Sequence, residues 1–179
     1  MFQRLWTMGT LAAAISACLL SACQSSQKAE PTEVAPELKL EGVRFRVWRG
    51  EIPRAWGEAS EVTIRRDTNE AKAALLRADL PSQDGPVVIT APRAQGVLST
   101  QVFSGEGGVL VTHADERATS QRARYEPGPA GTGLVSGTDP VTVERRGMRL
   151  SGVGFTFDPR TGDLRVGGPV ETRAAGAGR

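Results

Sequence analysis

The chain has 179 residues, with 22 basic against 20 acidic side chains and a formal charge of +2. That length suits one compact domain, or one domain plus an anchor, and is too short for a barrel enzyme, and near-balanced charge gives no basic face for counterion-driven binding, so no nucleic-acid partner is expected. One His and two Cys leave too little for a metal cluster or a disulfide framework, so no metal and no cofactor are expected, while 21 Gly, 11 Pro and 39% hydrophobic residues favour turns and strands over helix bundles.

Residues 1–4 carry one positive charge and lead into an apolar, small-residue run that includes Ala12, Ala13, Ala14, Ile15 and Leu19. This pattern predicts an export signal over residues 1–22. The run ends in Leu20-Ser21-Ala22-Cys23, which resembles a bacterial lipobox: an aliphatic residue, two small ones for the signal peptidase, then the Cys that receives a diacylglyceryl thioether. The competing reading is an uncleaved transmembrane helix with an incidental Cys. A span takes about 20 apolar residues, and Gly9, Thr10 and Ser16 interrupt this run. Cleavage before Cys23 removes Cys18 and leaves an acylated Cys23 as the only cysteine, so no thiol chemistry is expected. Two or three acyl chains anchor a protein stably, each buried methylene contributing about 0.8 kcal/mol. The expected location is the periplasmic face of a cell-envelope membrane; Gln24, where inner-membrane sorting uses Asp, resembles an outer-membrane address. Residues 23–36 are polar and punctuated by Pro31 and Pro36, which predicts a flexible tether.

The body, residues 37–171, alternates with period two. Leu38 and Leu40, then Val43, Phe45 and Val47, alternate with Lys39, Glu41, Arg44 and Arg46, and the slip at Gly42 predicts a bulge. Residues 69–80 have helix-forming composition, but their alternation and strand neighbours predict a strand. The pattern returns around Val62 and Ile64, over residues 87–90, at Val109 and Val111, and at Val141 and Val143. Gly-, Pro- and Asp-rich turns separate the runs. The last repeat predicts a hairpin: a strand ending at Phe155 and Phe157, a six-residue connection over 158–163, then Leu164, Arg165 and Val166. Residues 172–179 are expected to be a disordered tail. The whole predicts an all-β sandwich, roll or barrel.

Candidate chemistry is sparse. His113 and Asp115 with Ser99 or Ser104 could formally make a triad, yet no Gly-x-Ser-x-Gly elbow occurs, and His113 reads as a strand-end histidine. Asp158 and Asp163 flank a turn, where Asp bonds its own backbone; residues 105–108 and 131–133 lack the Lys-Ser/Thr and helix of a phosphate loop. No catalytic residue is therefore expected. The remaining feature is the apolar face of Val43, Phe45, Val47, Ile64, Phe103, Val111, Phe155 and Phe157, which can either fill a core or line a groove for an acyl chain.

The pattern Gly-Met-x-Leu-x-Gly-x-Gly-Phe-x-Phe-Asp-x-x-Thr-Gly-x-Leu-x-Val-x-Gly-x-Val, running from Gly147 to Val170, bears on that choice. With the opening Leu40-Glu41-Gly42-Val43-Arg44-Phe45-Arg46-Val47 and the block from Ala59 to Asp79, it resembles the LptA/LptC (OstA-like) family of lipopolysaccharide-export proteins, and most nearly the LptC type, one domain tied to a membrane at its N-terminus. The resemblance implies a twisted, partly open antiparallel β-jelly roll whose interior receives the acyl chains of lipopolysaccharide. It implies an inner-membrane ABC transporter as the donor and a soluble periplasmic jelly-roll (LptA-like) protein as the acceptor, met by edge-to-edge pairing at Leu164, Arg165 and Val166. Pro169, which has no N–H, is expected to end that pairing. Familiar LptC proteins keep a transmembrane helix where this chain has a lipobox. The second reading is therefore an outer-membrane β lipoprotein that acts as an envelope-assembly adaptor without a lipid groove.

Overall fold

The computed structural model describes residues 36–129 and 133–174; the expected signal, Cys23, nearly all of the expected tether and residues 175–179 lie outside them. Eight long strands follow one another as hairpins: β1 (Glu37–Arg49), β2 (Ile52–Arg65), β3 (Glu70–Leu80), β4 (Val87–Val97), β5 (Val102–His113), β6 (Glu116–Pro127), β7 (Gly133–Arg145) and β8 (Met148–Asp158). Two short strands, β9 (Asp163–Val166) and β10 (Glu171–Ala174), both pair with the far side of β8. Every pairing is antiparallel and every long strand pairs with its sequence neighbour, so the sheet is open, with β1 at one edge and β9 and β10 at the other. The fold is all-β, an open, twisted, jelly-roll-like sheet.

Alternation explains the strands, and in β3 it overrides propensity. The segment EAKAALLRADL has helix-forming composition, but Ala71 and Ala73, then Leu76, Ala78 and Leu80, share the interior with neighbours on β2 and β4. A strand here completes two ladders at once, which an isolated helix of this length cannot match.

A seam crosses the sheet. Gly42 in β1 and Leu75 in β3 take φ of 60° and 49°, and the ladder shifts at residues 90–93 of β4, at 106–109 of β5 with Gly107 and Gly108 at positive φ, at 120–124 of β6 and at 137–140 of β7, meeting Gly154 of β8 at φ 77°. On β4 and β6 the inward alternation changes phase at this line, from Ala91 to Ala94 and from Ser120 to Ala123. Bulges bend a strand and increase its twist; repeated in register, they fold the sheet over itself. Arg122 holds the seam from outside, its Nε and Nη2 donating to the two carboxylate oxygens of Asp139 at 2.9 Å each. That bond holds the Asp139 carboxyl below its usual pKa.

Contacts between strands that are not sheet neighbours close the roll. Arg49 of β1 donates to the carbonyl of Gly128 after β6 (3.2 Å), and Ser82 between β3 and β4 donates to the carbonyl of Arg160 between β8 and β9 (3.2 Å). His113 at the end of β5 lies against Phe157 of β8, ring centroids 6.1 Å apart, and under Gly162, where a Cβ would come within 2.8 Å of Nδ1.

Four local expectations change. At Gly42 the β1–β2 register runs on unshifted, because a glycine at positive φ turns the side-chain phase without an extra residue; the shift lies between Val47 and Trp48. The last hairpin is tighter than six residues, since Asp158 and Asp163 already pair across it. Pro169 interrupts the edge without ending it: Gly167 exchanges backbone bonds with Val153 and Gly154, and pairing resumes in β10. The ordered domain thus reaches Ala174, so residues 172–174 belong to a strand, one held by backbone ladders alone and exposed along its length.

Candidate functional site

Between the arms of the folded sheet lies an apolar cavity of about 400 Å³, walled by the inner faces of β1 to β5 with Ala123 and Tyr125 of β6 and Val135 of β7. Its existence follows from side-chain size. Inward positions on β2, β3 and β4 are largely alanine, among them Ala59, Ala71, Ala73, Ala78, Ala91 and Ala94, and facing alanines leave the space that larger residues would fill. The other half of the interior carries Val111, Val141, Val143, Phe155 and Phe157, all at most 5% exposed, and a second cavity of about 300 Å³ beside it is lined by Val143, Leu150, Leu164 and Val166.

Phe45 lies over Gly57, Phe103 over Gly96, Tyr125 over Gly133 and Phe155 over Gly137, each ring close to where a Cβ on that glycine would stand. At Gly57 a Cβ would come within 2.6 Å of Phe45 Cζ, and at Gly137 within 2.5 Å of Phe155 Cε1. Each of these glycines leaves bare backbone beside a neighbouring ring.

The apolar residues expected to share one face therefore divide. Val43, Phe45, Val47, Ile64 and Phe103 line the cavity. Val111, Phe155 and Phe157 point inward too, but into the other half, because β7 and β8 bring valines and phenylalanines where β2 to β4 bring alanines. Sequence reasoning missed the alanines, although inward Ala on three successive strands was a readable signal for space. Arg44 and Thr156 are exposed on the outer face.

The cavity lining contains Arg46, Arg49 and Arg54 and no acidic residue. Burial raises the pKa of the nearby Tyr125 phenol, against the pull of the Arg54 and Arg49 charges. At the opposite end of the strands, Leu38, Leu40 and Leu98 are 37%, 36% and 42% exposed, and Leu40 and Leu98 continue into the cavity wall.

The edge formed by Leu164, Arg165 and Val166 is β9. Its other side carries no strand among the described residues. Since Gly167 donates to Gly154, the antiparallel alternation turns the Arg165 N–H toward Thr156 and leaves those of Leu164 and Val166 facing outward.

The remaining candidates do not assemble. His113 is buried with Nε2 unpartnered, whereas Asp115 is on the surface, paired with Arg145 and Arg146. Asp158 serves its own turn, accepting from the Arg160 N–H at 2.8 Å. Among the described residues, no three His, Cys, Asp or Glu side chains are grouped to hold a metal ion, and no helix is long and apolar enough to cross a membrane. Compared with protein-family models and with curated proteins, the chain matches none.

Proposed function

We propose that this protein is a membrane-anchored periplasmic component of lipopolysaccharide export that carries acyl chains in its groove, without covalent catalysis. The observation that carries the reading is the alanine-walled cavity between the arms of an open sheet: it is apolar, reachable from one end of β1 to β4, and left unfilled, whereas Val111, Val141, Phe155 and Phe157 beyond it are almost fully buried. At about 30 Å³ per methylene-sized group, the volume of a water in the liquid, 400 Å³ takes roughly a dozen, about one acyl chain. Burying that chain contributes about 10 kcal/mol before the cost of ordering it. In this reading lipid arrives from an inner-membrane ABC transporter and leaves to a soluble LptA-like jelly roll docked at β9, whose outward N–H groups suit strand addition. Cys23 holds the domain at the membrane.

A displacement assay tests the groove. Purified lipopolysaccharide should displace a fluorescent fatty acid from the protein, and Ala73→Phe, which puts a ring into the cavity, should abolish binding of both while the protein stays folded. A folded wild-type protein that binds neither would favour the adaptor without a groove.

A further inference from the structure

The β1–β2 hairpin presents exposed apolar side chains that the groove does not use. Trp48, Ile52 and Trp56 are 51%, 56% and 39% exposed. Singly exposed apolar side chains are ordinary. Two indoles and an isoleucine around one turn are not, above all in a chain with only three Trp. Cations are interleaved with them: residues 44–57 hold Arg44, Arg46, Arg49 and Arg54 against the single acid Glu51. In the ladder, Arg46 stands opposite Trp56 and Arg49 opposite Ile52. Neither Arg46 nor Arg49 is ion-paired among the described residues. Arg49 gives one hydrogen bond to a neutral carbonyl, which leaves its charge uncompensated. The turn residue Gly50 has nothing within 4 Å of where its Cβ would be, so the turn projects into open space.

Indole rings favour the headgroup level of a bilayer, and clustered arginines are drawn to anionic lipid. We infer that the β1–β2 hairpin docks on an anionic bilayer surface, with Trp48, Ile52 and Trp56 entering the interface and the arginines engaging lipid phosphates. The inference goes beyond the lipid-carrier reading and does not need the groove to be loaded. It also gives the groove an orientation, because Val47, Arg49, Arg54 and Ala55 of the same hairpin line it: docking brings that wall to the lipid headgroups.

The test uses the full chain with Trp6→Phe, so that Trp48 and Trp56 are the only indoles, reconstituted into vesicles with brominated acyl chains. One set is phosphatidylcholine alone and the other holds a third phosphatidylglycerol. Quenching should be several-fold stronger on the anionic vesicles, fall with added salt, and drop to the neutral-vesicle level in Arg46→Glu/Arg49→Glu, with Arg46→Glu alone showing an intermediate loss. Equal quenching on both vesicle types, or quenching unchanged by charge reversal, would overturn the docking. Loss of quenching in the groove-filled Ala73→Phe chain would overturn it too, since the quencher would then have been a lipid inside the groove.

Discussion

Truncating two phenylalanines separates an open groove from a closed core. Phe157 is 2% exposed and packs against His113, so Phe157→Ala removes a fully buried ring and leaves a void, at a cost of about 3–5 kcal/mol. Phe45 is half-buried, with one side over Gly57 and the other on space that is already empty. Its truncation loses roughly half of the ~1.5–3 kcal/mol of full burial and makes no new void, which comes to about 1 kcal/mol. With a urea m-value of about 2 kcal/mol per M, Phe157→Ala should move the unfolding midpoint down by about 2 M and Phe45→Ala by about 0.5 M, followed by far-UV circular dichroism. Phe103→Ala should behave like Phe45→Ala. Adding lipid should then stabilise the wild type, by about 2.7 kcal/mol at a hundred times its dissociation constant, and the Phe45 and Phe103 variants less. If all three truncations cost the same, the cavity is closed in solution and these residues are one core.

Three further outcomes follow from single positions. Tyr125 is the only tyrosine, so absorbance at 295 nm titrates it alone. Its midpoint should lie above 10, and the stability gained by keeping it neutral should be complete below pH ~10 and lost as pH rises through that raised midpoint; a midpoint at or below 10 would contradict its burial. Leu75 is 67% exposed at a φ of 49°, a conformation that costs a non-glycine residue about 1 kcal/mol. Leu75→Asn should therefore stabilise by roughly 0.5–1 kcal/mol in the same urea experiment, and a loss would mean that the seam needs the leucine. At the β9 edge, Val166→Pro removes an outward N–H and trims a side chain packed against the core, so it should weaken capture of a soluble LptA-like partner at a modest cost in stability. Arg165→Pro breaks the bond to Thr156 and should lower stability; the opposite ranking would put the outward face at Arg165.

Much of the sheet was legible because period-two alternation and turn chemistry are local. Leu164 to Val166 were readable as a strand from the turn before them, and Ala-rich β3 from its alternation and its neighbours. The seam was hidden, since one glycine at positive φ and a bulge both look like a slip in phase, and only the partner strand tells them apart. β10 was hidden for a different reason: Glu171–Ala174 has no apolar face, and what holds it is backbone pairing to β8. At the site, alternation told which residues face inward, but whether Phe45 lines a groove and Phe157 a core depends on what stands opposite. That is set by alanines and valines tens of residues away, and by a sheet folding back on itself.

Site-specific photo-crosslinking in living cells bears most directly on lipid carriage. A photoreactive residue at Phe45, Ile64 or Phe103, on the cavity wall, should capture lipopolysaccharide, while one at the outward positions Arg44 and Thr156 should not. Equal capture from both faces, or none from the cavity wall, would contradict a lipid-carrying groove.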